Sequence, residues 1–294
     1  MVKSKKSLGE IIFDSTNYLF LGLLSLVTIY PLIHVAFASF STGTDLLSHQ
    51  GLLFAPLKPT LDGYIMIFKN PLVVQGYLNT IFVIVVGVLL NLFITSLTAY
   101  ALSREGMMLK RGITLFIIFT MYFSGGLIPF YFTVRNLNLI DNIFVLIIPV
   151  LLNTFNMIIM RTSFEAIPVS LEESAKIDGA NDFTVLFKII LPLSKPIIAV
   201  ICLYYGVQHW NSWFNAMLFI KEKNLYPLQL VLREILLVSQ ANSMDDSSTV
   251  SSLNNVHETL KYALIMIATV PILCIYPFVQ KFFVQGALVG AVKG

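Results

Sequence analysis

Charge is scarce in this chain. Asp, Glu, Lys and Arg make up 12% of its 294 residues, whereas 56% are hydrophobic, and the mean hydropathy is +0.81. A soluble domain of this length cannot hide so much apolar surface, so the bilayer must act as solvent for much of it. Cysteine is scarcer still, and Cys202 and Cys274 both fall in apolar runs. They read as small packing residues, not as a disulfide or metal pair. No G-x4-G-K-S/T phosphate loop is present, so ATP cannot bind by that route, and H-E-x-x-H and metal-spaced cysteines are also missing. The apolar runs hold almost no acid and show no paired inverted repeats. That counts against an ion-coupled secondary transporter. A membrane enzyme such as a lipid-modifying transferase would need acids or histidines converging at the membrane face, and outside the polar segment between the fourth and fifth runs no such cluster falls within the apolar runs. His34 and His257 read as packing or loop residues.

What is there is a series of long apolar runs. Roughly six, near 18–40, 78–102, 113–134, 143–163, 197–219 and 260–282, have the length of a membrane span. The third, fourth and fifth are the clearest. Pro31 and His34 interrupt the first, and Pro271 and Pro277 the last. Lys3, Lys5 and Lys6 before an apolar run could imitate a signal peptide, but the run is too long and no clean cleavage site follows, so it reads as a retained span. With the N-terminus inside, about twelve Lys and Arg lie in cytosolic segments against about seven outside, the direction the positive-inside rule demands. The short basic loop 103–112 is its most telling part. Both termini are then cytosolic, and the formal net charge of +3 reflects topology, not a nucleic-acid footprint. The chain divides into a polar lead-in at 1–17, one membrane domain at 18–282 and a tail at 283–294. Segments 41–77 and 220–258 are expected as outer loops, the latter ending in a polar stretch rich in Ser, Asn and Asp.

Between the fourth and fifth runs lies a polar, helix-compatible island, 168–192. Pro168 breaks the chain, and Ser170-Leu171-Glu172-Glu173 fits a capping box. Leu171, Ser174, Ala175 and Asp178 share a helical face with small residues at its centre. Gly179 suits a left-handed helix end. A second short helix can start at Asn181 or Asp182 and run to Leu191, where Pro192 stops it. Helix, glycine bend, helix, with acid at the start, is a face that a basic cleft on a soluble partner could grip. An ordinary interfacial helix joining two spans is the competing reading.

The island matches the EAA motif of ABC-importer permeases, E-A-A-x3-G-x9-I-x-L-P, at Glu173, Ala175, Gly179, Ile189, Leu191 and Pro192, with Ser174 for the central Ala. Two further stretches carry the same likeness: Tyr122 to Pro129 with Asn156 to Arg161, and His209 to Asn215 with Tyr226 to Leu230. The chain resembles the carbohydrate-type permeases, in particular the subunit similar to the smaller maltose-transporter permease and the complex-oligosaccharide branch of Gram-positive bacteria. The resemblance implies an all-α integral membrane fold, a six-helix type I importer domain with a cytosolic coupling helix between spans 4 and 5. It implies no cofactor in this chain, with ATP and Mg on partner ATPase subunits. It implies a second, non-identical permease, two ATP-binding subunits, an extracellular sugar-binding lipoprotein and an oligosaccharide substrate at the cell membrane, with no nucleic acid. A permease for another solute is the alternative within the family. Residues Glu172, Glu173, Ser174, Ala175, Asp178, Gly179, Ala180, Leu191 and Pro192 fall in the ATPase-coupling region. Gly290, Ala291, Val292, Lys293 and Gly294 resemble a tail that reaches into the ATPase dimer, with Ala291 in place of a second Gly.

A sugar path needs aromatic faces to stack on rings, and amides and hydroxyls for their rims. Tyr122, Asn153, Asn156, Gln208, Trp210, Asn211, Trp213 and Asn215 are the candidates, and Gln208, Asn211 and Asn215 would share one helical face. Tyr204, Tyr205 and His209 lie among them. The same amides could instead bond between helices, and the tryptophans could form an interfacial belt.

Overall fold

Long apolar runs with few breakers favour helix, because a helix satisfies its own backbone where water cannot. The computed structural model is helical accordingly, with no strand among the described residues, 7–244, 259–277 and 280. The helices are α1 (Leu8–Ser39), α2 (Gly43–Ser48), α3 (Asp62–Phe68), α4 (Pro71–Ser103), α5 (Lys110–Tyr122), α6 (Leu127–Asn136), α7 (Thr154–Glu165), α8 (Val169–Ile177), α9 (Asp182–Val185), α10 (Leu191–Leu193), α11 (Lys195–Trp210), α12 (Phe214–Phe219) and α13 (Leu228–Met244). A last helix, α14, covers Thr259–Pro277. Three of them (α1, α4 and α14) are long and apolar enough to cross a membrane, and the number reaches six if each of three bent pairs counts as one span.

The breaks fall where the sequence looks least interrupted. The third run bends by 116° between α5 and α6, where Phe123 is extended and Gly126 takes φ +86°. The fourth bends by 50° before α7, where Asn153 caps the new helix by accepting from the Asn156 N–H at 3.1 Å. In the fifth, α11 stops at Trp210 and α12 starts afresh at Phe214. By contrast α1 runs unbroken through Pro31 and α14 through Pro271. The expected outer loop 220–258 is helix over its middle, as α13, and residues 245–258, His257 among them, lie outside the described set.

Contacts divide the described residues into two units, a division the sequence does not reveal: one lies within 7–70, 235–244 and 259–269, the other within 71–234, 270–277 and 280. In the first unit α1 opens on a capping box the sequence reading missed, with Ser7 Oγ accepting from the Glu10 N–H at 3.2 Å and Glu10 accepting from the Ser7 N–H at 2.9 Å. Tyr30 Oη accepts from the Leu53 N–H, and Tyr64 Oη donates to Ser39 Oγ, both at 2.8 Å. His34 packs between Tyr30 and Tyr262, with ring centroids 6.0 and 6.1 Å away.

The second unit is built on α4, which packs against α7 and α11. Gly76, Thr80, Gly87, Asn91, Thr95 and Ala99 recur every four to seven residues along its buried face. Such small and polar residues let helices approach closely in an apolar setting. Asn91 donates to the Val150 and Leu151 carbonyls at 2.6 and 2.9 Å and meets His209 Nε2 at 2.7 Å. Met157, Met160, Phe164, Leu186, Ile190 and Tyr205 fill one apolar cluster beside it. At another turn Asp141, at φ +59°, accepts from the Lys221 and Glu222 N–H groups at 2.8 and 2.9 Å. Those donors, Glu222 first, hold its carboxyl below the usual range. The clamp is therefore complete at neutral pH and lost only on acidification through that lowered value.

Gly87 marks the tightest approach: a Cβ there would lie 2.5 Å from His209 Nε2. Gly87→Ala is expected to force His209 off Asn91 and to cost about 1–3 kcal/mol. Thermal unfolding of the purified protein in detergent checks this. An unchanged melting temperature would show that the ring has room to move.

Candidate functional site

The island folds as two helices about a glycine. Pro168 precedes α8, which starts at Val169 and carries no side-chain cap bond. Ser170 is thus already helical, so the expected capping box at Ser170 and Glu173 does not form. A capping residue is normally extended, and Ser170 lies two residues past the cap position, which Pro168 occupies. The other end matches expectation. Gly179 takes φ +83°, its N–H bonds the Lys176 carbonyl at 3.0 Å, and the Ala180 N–H bonds the Ala175 carbonyl at 2.9 Å. This is the paired Schellman pattern that glycine permits without strain. No heavy atom lies within 4 Å of where a Gly179 Cβ would sit. Asn181 caps α9, accepting from the Thr184 N–H at 2.8 Å.

Beyond Asn181 the helix runs to Leu193, not Leu191. It passes through a wide π turn, Leu186–Ile190, in which the Leu191 N–H reaches the Leu186 carbonyl. Pro192 has no N–H to give, and a wide turn directly before it accommodates that loss without ending the helix. The chain then bends by 88° into α11.

Glu172 and Glu173 separate sharply. Glu173 is exposed, as are Leu171, Ser174, Asp178, Gly179 and Pro192, while Ala175, Ala180 and Leu191 are half-buried. Ile177 is 86% exposed and Phe183 64%. Glu172 is 5% exposed and is the one buried residue of α8. Its Oε2 lies 2.7 Å from Arg104 Nε, a charge contact without hydrogen-bond alignment. Tyr100 Oη donates to Oε1 at 3.1 Å, and Lys176 Nζ sits 3.0 Å from the same oxygen. Lys176 also reaches Asp182 Oδ1 at 3.2 Å, across the glycine bend. Bonds to Glu172 and then Asp182 hold the Lys176 ammonium above its ordinary value. A polar cavity of about 540 Å³ opens alongside, lined by Arg104, Lys110, Glu165, Glu172, Glu173 and Lys176 among others. Sequence reasoning missed Arg104 and Tyr100 as parts of this site. Arg104 counted only as a topology charge, and nothing local links it to Glu172. The tail Gly290 to Gly294 lies outside the described residues.

The sugar-path candidates occupy different structural positions among the described residues. Tyr122 is 82% exposed at the end of α5. Asn153 is a helix cap whose N–H donates to Tyr205 Oη at 3.0 Å, and that hydroxyl also meets Thr95 Oγ1 at 2.8 Å. Asn156 is buried. The supposed face of Gln208, Asn211 and Asn215 is interrupted because α11 ends at Trp210, and the Asn211 amide donates back to the Val207 carbonyl at 2.9 Å. Gln208 and Asn215 are half-buried. Trp210 is 7% exposed and packs near Tyr77, while the Trp213 ring carries the Arg233 guanidinium 3.7 Å from its centroid. Cys202 and Cys274 are free thiols. Among the described residues no group of His, Cys, Asp and Glu is placed to hold a metal ion.

No family model matches the chain. It is 42% identical to the polygalacturonan/rhamnogalacturonan transport system permease protein YtcP of Bacillus subtilis (strain 168), covering 96% of this chain and 99% of YtcP. It is 40% identical to protein LplC of the same organism, covering 96% and 95%. A chain in the crystal structure of a bacterial ABC transporter involved in the import of the acidic polysaccharide alginate matches with a TM-score of 0.85 and 35% identity, covering 96% of this chain and all of that one (100%).

The geometry separates brace from surface at the end of α11. Trp210→Ala should destabilise the fold by about 3–5 kcal/mol, the usual cost of emptying a buried tryptophan site. Asn211→Ala should leave the stability within about 1 kcal/mol of the parent, since its amide only caps its own helix. Melting curves of the two variants decide it, and the reverse ranking would make Asn211 the brace.

Proposed function

The chain belongs to the sugar ABC transporter permeases, and from that premise we propose that it is the translocating subunit of an ATP-driven oligosaccharide importer, coupled to a separate ATPase through residues 168–192. It is an integral membrane protein and not an enzyme. In this reading it pairs with a second, different permease, two ATPase subunits that hold ATP and Mg lie beneath, and a binding protein delivers sugar from outside. Both termini and the α8–α9 bend face the cytosol. The names of the relatives put fragments of polygalacturonan, rhamnogalacturonan and alginate first among substrates to test.

The observation that supports the reading best is the two-sidedness of α8. One acid is buried inward and ion-paired, while Glu173, Ile177, Asp178 and Phe183 are exposed around a glycine bend with no neighbour against it among the described residues. A helix presenting both acid and large apolar groups to solvent suits a docking surface more than a linker between spans. ATP-driven closure of the paired ATPases would push on this surface, and the permease would switch which side its path faces.

The complete complex, reconstituted in lipid with its partner permease, ATPase and binding protein, is to be assayed for ATP hydrolysis against an oligosaccharide panel. Stimulation by one sugar class, lost in Glu173→Ala, is the expected result. Gly179→Val should insert normally, because no neighbour is displaced, yet its β-branched side chain cannot hold φ +83° without strain. Uptake per ATP hydrolysed should then fall at least about tenfold, the scale of a typical coupling free energy. Normal uptake by that variant would count against docking at the bend. Failure of any ATPase to bind the parent complex would overturn the coupling reading.

A further inference from the structure

We propose that the buried Arg104–Glu172 contact is the rigid link that carries movement of α8 to α4, making both positioning residues for coupling. The inference rests on the proposed ATPase docking, but it concerns what happens behind the docked face. Any push on α8 must reach the long helices, and the structure offers few routes. Val169, Leu171 and Ile177 are 56%, 44% and 86% exposed, so apolar packing grips α8 weakly. Ala175 is its one side chain packed against the apolar cluster. The inward attachment is chiefly the Glu172 carboxylate.

That carboxylate is tied in three directions at once. Arg104, one residue beyond the end of α4, approaches from one side at 2.7 Å. Tyr100, one turn earlier on α4, donates at 3.1 Å. Lys176 closes the third side at 3.0 Å and extends the network past the bend to Asp182. The Arg104 guanidinium lies over the Tyr100 ring, 5.2 Å from its centroid, so the two α4 groups also brace each other. Arg104 Nη2 is buried and has no hydrogen-bond partner among the described residues. The cation therefore depends on Glu172 for its neutralisation, and separating the two is strongly resisted in a poorly solvated site.

A carboxylate fixed by the Tyr100 hydrogen bond and by close charge contacts with Arg104 and Lys176 transmits displacement with little slack, whereas small side chains sliding on lipid-like neighbours do not. Farther along α4 the helix is constrained again, with Asn91 held to His209 and to the carbonyls at Val150 and Leu151. A shift imposed at Arg104 is therefore passed along a stiff helix to the break before α7.

The test compares Arg104→Ala, Glu172→Gln, Tyr100→Phe and the exchange Arg104→Glu with Glu172→Arg, each in the reconstituted complete complex. Three quantities are measured: ATPase retained on the purified complex, ATP hydrolysis, and uptake per ATP. Arg104→Ala and Glu172→Gln should retain the ATPase and hydrolyse ATP, with uptake per ATP lowered about tenfold. Tyr100→Phe, which removes one bond and keeps the fold, should lower it about twofold to threefold. The exchange should restore most of the loss, an effect that a generic loss of stability would not produce. Wild-type uptake per ATP in both Arg104→Ala and Glu172→Gln would overturn the link, and so would release of the ATPase by either. A parent complex that shows no sugar-stimulated hydrolysis would instead overturn the docking reading itself.

Discussion

A polar group freed inside apolar surroundings must find a partner within the protein, and the second unit of this structure is arranged around that constraint. Several places where the backbone leaves a helix are met by a side chain of α4 or α11. The carbonyls of Val150 and Leu151 end on the Asn91 amide, and the Asn153 N–H ends on the Tyr205 hydroxyl. The Leu228 N–H ends on Thr80 Oγ1, while the Asn224 and Tyr226 carbonyls end on the Asn79 amide. Helix α4 is thus both the most apolar long helix and the one that supplies the hydrogen bonds the breaks require. Its small residues are part of the same solution, since Asn91 can hold His209 only because Gly87 leaves room for the ring.

This explains why breaks were hard to read from sequence. Proline is the obvious signal, and it misleads here: Pro31 removes one donor, yet α1 continues through it. A helix survives such a loss when its neighbouring turns hold, so proline marks a local cost and not an end. Real breaks occur where another element supplies the missing partners, as Asn91 does some sixty residues away from the carbonyls it serves. That information is tertiary. Gly179 was legible because its reason is local: a helix end needing a left-handed residue is visible in sequence. The Ser170 cap was misplaced because a capping box can be written in any register until the first turn is fixed.

The same distinction runs through the candidate sites. Spacing located the island, its bend and its second helix start, all of which depend on neighbouring residues. It could not tell Glu172 from Glu173, which stand about 100° apart on a helix. Only the position of Arg104 decides which acid turns inward. Among the sugar-path candidates, aromatic and amide character was read as recognition chemistry. In the structure Asn153, Asn211 and Trp210 are occupied in capping and packing, and Tyr205 and His209 serve as hydrogen-bonded braces. Polar groups in apolar helices serve the fold first, so composition alone overstates how many remain to meet a ligand.

A surface that must be gripped by one partner and move another needs opposite properties on its two sides. Toward solvent, α8 and α9 offer an open bend with exposed Glu173, Asp178, Ile177 and Phe183, which can adapt to a partner with little rearrangement of the described residues. Toward the protein, one carboxylate holds a guanidinium, a phenol and an ammonium within about 3 Å. Apolar packing could have anchored α8 more cheaply, since buried ion pairs add little net stability. What an ion pair adds is a steep penalty for separation in a buried site. That trade makes poor sense for an inert linker between two helices. It makes good sense for an element whose displacement has to arrive intact at the end of α4.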